Sequence, residues 1–175
     1  MKDNIFVKLL GVLGINVAMG VVYWLIVQYV LAVQDNLSPT VLERIQDNPA
    51  RLETYLGEAS GSMLQAGIIS LLLGAILAGL WLVLVMRNPP GGPESARAKR
   101  PSWAGLLLLL VISAIACFWF ALIGAAIAQT LASKVSIYAA IVGTVLTALG
   151  YWLATAACVP DTTKVAVPLS RLLRR

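Results

Sequence analysis

The sequence predicts an all-α integral membrane protein: a four-helix bundle with both termini inside and a short amphipathic helical loop outside, between the first two spans. Hydrophobic residues make up 59% of the chain and charged residues 12%, whereas soluble domains have about 45–50% and about 25%. The apolar residues form four uninterrupted runs of 24 to 26 residues, and about 20 suffice to cross a bilayer. We therefore predict a single transmembrane domain over residues 1–175.

The predicted elements follow the four runs in order. They are TM1 9–33, an outer amphipathic loop 34–62, TM2 63–86, a cytoplasmic loop 87–102, TM3 103–128, TM4 135–159 and a cytoplasmic tail 160–175. Lysines before the first run are typical of a signal peptide, but an apolar signal core has only about 7–15 residues. The run is longer, so we expect a retained signal anchor. TM3 and TM4 could instead form a re-entrant pair, but each is long enough to span alone.

The distribution of basic residues predicts the orientation. Ten lysines and arginines lie in the N-terminus, the loop 87–102 and the tail, whereas three lie in the other connections. Cytoplasmic loops carry the excess of positive charge, so both termini are predicted to be inside. Aromatic side chains predicted at the two membrane boundaries fit an interfacial belt: Trp81, Trp103 and Trp152 at the inner one, and Tyr29 and Tyr138 at the outer one.

The outer loop is the best candidate for a partner-binding surface. Ser38-Pro39 and Asn48-Pro49 each resemble the start of a helix, so we predict two short amphipathic helices with a break near Asn48. Their apolar faces either cover the outer end of the bundle and the headgroup region or dock onto another protein. The candidate residues are Val41, Leu42, Ile45, Leu52, Tyr55 and Leu56.

Small residues recur at helical spacing within the spans. Small residues at i and i+4 let two helix backbones approach closely, which holds helices together in lipid. They either pack the bundle internally or face a partner subunit. The candidate helix-packing residues are Gly14, Ala18, Ser70, Gly74, Ala78, Gly124, Ala139 and Gly143.

Asn16 is the most deeply placed amide in the predicted spans. No Asp, Glu, Lys or Arg lies inside any span, and proton-coupled transporters usually place an ionisable group there. This lowers the expectation of a proton-driven pump or of a multidrug exporter with an embedded carboxylate. Asn16 is expected either to form an interhelical hydrogen bond or to contact a ligand.

The sequence offers no catalytic motif, metal site or cofactor site. Histidine is absent, and the two cysteines, Cys117 and Cys158, are predicted at depths about 20 Å apart, too far for a disulfide. We expect both thiols to be buried as small apolar groups. The net charge of +5 follows from the orientation signal, so no nucleic-acid partner is predicted. The basic tail is expected to contact the anionic inner leaflet.

Three functions remain open at this stage. The first is a non-enzymatic accessory subunit of a larger bacterial inner-membrane or plasma-membrane complex, such as a secretion, motor, respiratory or envelope assembly. The partners would be other membrane-protein subunits or further copies of this chain. The second is an oligomeric transporter or channel for a small solute. A bundle whose interior is filled with side chains would count against this hypothesis. The third is a membrane enzyme acting on lipids.

Overall fold

The computed structural model describes residues 4–31, 37–48, 52–128, 133–160 and 162–170, and this part of the chain is helical with no strand. The helices are α1 Ile5–Leu31, α2 Pro39–Asp47, α3 Leu52–Arg87, α4 Pro93–Arg97, α5 Arg100–Ala128 and α6 Ser133–Cys158, followed by a 3-10 helix, Lys164–Ala166. Four of them, α1, α3, α5 and α6, are long and apolar enough to cross a membrane. The prediction of four apolar helices is confirmed.

The four long helices form a bundle in which α3 and α6 are the central pair. α3 packs against α1, α5 and α6, and α6 also packs against α1 and α5. α1 and α5 therefore flank the central pair on opposite sides. Each of these two flanking helices exposes more of its surface than either central helix does.

α3 is longer than the predicted second span. The second short amphipathic helix that the sequence predicts is instead the N-terminal part of α3, a single helix of 36 residues. At about 1.5 Å per residue it is about 54 Å long, against about 30 Å for the hydrocarbon core. The physical reason is that Gly57 and Gly61 are the weakest helix formers between Leu52 and the span, and glycine costs a helix only about 1 kcal/mol.

The segment after α6 folds back onto the end of the bundle at which α6 finishes. The backbone N–H groups of Thr163 and Lys164 donate to the Pro160 carbonyl at 2.8 and 3.2 Å, and the Trp152 indole donates to the Pro168 carbonyl at 2.7 Å. Ala166 and Val167 are buried in the main core cluster. The tail up to residue 170 is therefore part of the fold, whereas Arg171–Arg175, on which the predicted leaflet contact mainly depends, lie outside the described residues.

Two aromatic layers fill the interior. In one, the rings of Tyr23 and Phe118 meet edge to face with centroids 5.9 Å apart. In the other, Trp103 and Tyr151 lie 5.7 Å apart, and the Trp103 indole donates to the Thr155 hydroxyl at 3.0 Å. Buried Tyr and Trp side chains need such polar partners.

The aromatic belt is only partly as predicted. Tyr29 and Tyr138 are exposed, but Trp81 and Trp103 are buried in the core. Both indoles belong to helix faces that meet the centre of the bundle, so they fill space there. Run length and position along the chain could place these two residues near a boundary, but could not tell which way they point.

Candidate functional sites

Asn16 lies at the centre of the bundle, between three helices. Its side-chain amide donates to the Val12 carbonyl of its own helix at 2.9 Å, so the hydrogen bond is not the interhelical one that the sequence suggested. The side-chain carbonyl faces α3 and α6: it is 3.1 Å from where a Cβ would stand on Gly74 and 3.1 Å from the same position on Gly150. Asn16 thus couples α1 to both central helices.

The Asn16 carbonyl has no conventional donor among the described residues. An unpaired buried amide carbonyl costs about 1–3 kcal/mol, and a weak contact with a glycine Cα–H recovers part of that. Because the oxygen lies close to Gly74 of α3 and Gly150 of α6, Asn16 is placed to hold three helices together. The oxygen is buried, although the residue also forms part of the wall of the groove between α1 and α3.

Five serine and threonine hydroxyls within the spans are satisfied locally. Each donates to the carbonyl four residues earlier in its own helix, at 2.8 or 2.9 Å: Ser70, Ser113, Thr144, Thr147 and Thr155. Hydroxyls bonded in this way leave their donor occupied. They form no continuous polar path between the two ends of the bundle.

The predicted helix-packing residues fall into two groups. Five are buried: Ser70, Gly74, Ala78, Ala139 and Gly143. Three are exposed: Gly14, Ala18 and Gly124. A Cβ on Gly143 would overlap the Phe118 ring, whereas one on Gly14 or Gly124 would meet nothing within 4 Å.

Three further glycines make close contacts that the sequence did not single out. A Cβ on Gly67 would overlap the Tyr23 ring, Gly150 contacts Asn16, and Gly11 contacts Cys158. The available signal was the seven-residue spacing from Gly143 to Gly150, which places both on one face of α6.

A groove runs beside the exposed face of α1. It lies between α1 and α3, has a volume of about 170 Å³ and is almost entirely apolar. Its walls are Leu13, Asn16, Val17, Gly20, Ile68, Leu71, Leu72 and Ala75. Gly14 and Ala18 are exposed and follow the wall residues Leu13 and Val17 in the sequence, so α1 presents two small exposed residues near the groove.

A second apolar groove separates α5 from α6. Its volume is about 480 Å³, and Phe118 forms part of its wall. Its rim carries the large exposed side chains of Ile115, Trp119 and Ile141. These stand out from the helix surface, so two backbones could not approach as closely here as at α1.

The short helix α2, which the sequence predicts on the outer side, buries its apolar face within the chain. Leu37, Val41 and Ile45 form a small buried cluster, and Leu42 packs against it. The side chains of Leu52, Tyr55 and Leu56 lie outside the described part. Val41 and Ile45, two of the predicted docking residues on α2, are therefore covered. The exposed face of α2 carries polar and charged residues: Glu43, Arg44, Gln46 and Asp47.

The two cysteines are free thiols. Cys117 is half-buried, and Cys158 is buried at the C-terminal end of α6. Cys158 lies against α1, because a Cβ on Gly11 would stand 2.9 Å from the Cys158 Sγ atom. Gly11 therefore brings α1 close to the end of α6.

Neither a metal-ligand cluster nor a known relative assigns a role to the described residues. Within the described ranges, no three His, Cys, Asp or Glu residues lie close enough together to hold a metal ion. No protein family, curated protein or solved structure matches the chain.

Proposed function

We propose that this chain is a non-enzymatic accessory subunit of a larger inner-membrane or plasma-membrane assembly, and that α1 carries the contact with its neighbour. One observation carries the proposal: Gly14 and Ala18 lie exposed on α1, with open space beside Gly14, and each directly follows a wall residue of the α1–α3 groove in the sequence. Within the same helix only Val12, Asn16, Tyr23 and Val27 are buried among the residues whose burial is described.

A neighbouring helix could approach this surface closely. Apolar side chains gain little by leaving lipid for another apolar surface, so close packing of backbones drives association in a bilayer. Small residues at i and i+4 permit that approach, and the adjoining groove could receive one or two apolar side chains. Exposed Leu10, Val17 and Val21 would flank the crossing.

The outer helix α2 could supply a second contact through its exposed face. Because Val41 and Ile45 are already covered, a partner would meet Glu43, Arg44 and Asp47. Such a contact would be polar and would weaken with salt, unlike the contact within the membrane.

The interior gives the transporter hypothesis less support than the subunit hypothesis. Trp81, Tyr23, Tyr151 and Phe118 are each less than 2% exposed and fill the space between the helices. A solute crossing a single copy would have to displace these rings. A path between several copies would make this chain part of an assembly in any case.

Photo-cross-linking in the native membrane tests the proposal. A photoreactive amino acid at Val17 should cross-link to a defined protein, either a different subunit or a second copy. The same residue at Leu108, an exposed position on α5, is the matched control and should label lipid. Cross-linking to lipid alone from both positions would contradict the proposal.

A pair of glycine variants separates the surface from general effects on folding. Gly14→Leu should abolish the Val17 cross-link and co-purification of the partner in mild detergent, because the leucine fills the approach. Gly105 is also exposed, with nothing within 4 Å of its Cβ position, so Gly105→Leu should leave both unchanged. Equal losses in the two variants would argue against a contact at α1.

A further inference from the structure

A polar cavity lies at the inner end of the bundle, away from the surface proposed for the partner. It has a volume of about 380 Å³ and its walls are Val7, Lys8, Ala157, Cys158, Val159, Pro160 and Lys164. Ligand sites commonly have about 300–1,000 Å³. Unlike the two grooves in the spans, this cavity has two cationic side chains, one from the start of α1 and one from the segment after α6.

We infer that Lys8 and Lys164 bind the phosphate group of an anionic phospholipid in this cavity. Two lysines from separate elements line one space, and a phosphodiester is the singly charged group that a bilayer presents at this depth. Basic pockets between transmembrane helices are suited to lipid headgroups for this reason.

The position of Lys164 is fixed by the fold of the returning segment. Its backbone N–H donates to the Pro160 carbonyl at 3.2 Å, and its carbonyl accepts from the Ser170 hydroxyl at 2.5 Å. The Trp152–Pro168 hydrogen bond holds the same segment from the other side. Because the backbone is already ordered, only the side chain has to be ordered when it binds an anion.

The position of Lys8 follows from the close approach of α1 to α6. Gly11 lies one turn after Lys8 and contacts Cys158, which brings the start of α1 to the end of α6. Lys8 and Lys164 each also engage a group within the chain. An ammonium has three N–H donors, so such a contact leaves donors for a phosphate oxygen.

The end of α6 contributes partial negative charge to the same cavity. A helix C-terminus is equivalent to roughly half a negative elementary charge, whereas the two lysines contribute two positive charges. This partial charge by itself favours a cationic group and opposes an anion. Attraction of an anion, and selectivity for anionic over zwitterionic lipid, should therefore come from the lysines.

The outer wall of the cavity favours a lipid over a free anion. Val7 and Ala157 line the cavity and are exposed on the membrane-facing surface, and Phe6 and Leu10 continue that apolar surface along α1. A phospholipid could place its phosphate between the lysines and an acyl chain along these side chains. Inorganic phosphate would use the lysines alone.

Binding to nanodiscs of defined composition tests the inference on the full chain. The protein should associate more strongly with phosphatidylglycerol than with phosphatidylcholine when each is titrated as a minor component and read by native mass spectrometry. From about 1 kcal/mol per basic residue near an anionic surface, Lys8→Gln or Lys164→Gln should each weaken retention of phosphatidylglycerol about fivefold. The double variant should weaken it about 25-fold, and Lys8→Arg with Lys164→Arg should restore it.

Arg97→Gln is the charge-matched control, because Arg97 is exposed on α4 and is not among the residues that line the cavity. It should change retention less than twofold. If Arg97→Gln weakened retention as much as the lysine variants do, general surface charge would explain the result and the inference would be overturned. Unchanged retention in the double lysine variant, with an unaltered melting temperature, would also overturn it. Inorganic phosphate that binds the delipidated protein as tightly as the lipid would identify a free anion as the ligand and overturn the lipid assignment.

Discussion

Gly143 allows the Phe118 ring to lie directly against the backbone of α6, and the ring is only 1% exposed. The Tyr23 ring holds Phe118 from the other side and itself lies against Gly67. Two glycines and two aromatic rings therefore form one interlocked contact across the bundle. An added methyl group cannot be accommodated without moving a buried ring, since interiors are close-packed.

Gly143→Ala should lower the free energy of unfolding by about 1–3 kcal/mol, the usual cost of overpacking a core. Gly124→Ala is the matched control: its Cβ meets nothing, and alanine is a better helix former by about 0.5–1 kcal/mol. Unfolding in mixed micelles with increasing dodecyl sulfate, followed by circular dichroism, measures both. Equal stability of the two variants would show that Phe118 moves aside freely.

Asn16 and Gly74 should be energetically coupled. Gly74→Ala places a methyl group 3.1 Å from the Asn16 carbonyl oxygen and should destabilise the bundle. Asn16→Ala removes that oxygen, so the second substitution should cost less in this background. A double-mutant cycle should give a coupling of about 0.5–3 kcal/mol. Additive effects would mean that the amide does not contact α3.

These residue contacts were only partly predictable from the sequence. Small-residue spacing identified Gly74 and Gly143, which are buried, and equally Gly14 and Gly124, which are exposed. The spacing shows that residues share a face but not what the face meets. That depends on which helices are neighbours, and the order of elements along the chain does not determine it.

At the scale of elements, the segment after α6 contributes more than its length suggests. Ala166 and Val167 join the core that contains Trp81 and Trp103, and the Arg100 side chain donates to the Val165 carbonyl at 3.1 Å. The sequence predicted a tail lying on the membrane surface because leucines and arginines are mixed there. The short apolar stretch Val165–Val167 was the available signal, but three residues are too few for a periodicity.

Truncation after Pro160 should therefore destabilise the bundle. Burial of a valine is worth about 1.5–3 kcal/mol and each lost hydrogen bond about 0.5–1.5 kcal/mol, so we expect a loss of about 3 kcal/mol or more. Truncation after Ser170 keeps the buried segment and should retain nearly full stability in the same titration. Similar melting curves for the two truncations would show that the segment only rests on the surface.

The helix elements themselves were predictable because a bilayer imposes a length. Four apolar runs gave the four long helices with ends within a few residues. The exception is the start of α3, where the polar segment before the span continues the same helix. Polarity indicates where a chain leaves the lipid, but helical hydrogen bonds do not end at that boundary.

At the scale of the whole molecule, the distribution of basic residues predicts that both termini are inside. Single cysteines at Gln46 and Gly91, both exposed, should report opposite sides in a background of Cys117→Ser and Cys158→Ala. A membrane-impermeant maleimide added to intact cells should label position 46 but not position 91. Labelling of position 91 alone would reverse the orientation, and fusion of a fluorescent protein to the C-terminus gives an independent check.

The returning segment also sets an order of events during synthesis. Residues 162–170 leave the ribosome after all four spanning helices, yet two of them belong to the main core cluster. Until they are made, that cluster lacks Ala166 and Val167, and the cavity lacks the wall that carries Lys164. The cavity can therefore form only in a chain whose spanning helices have already been synthesised.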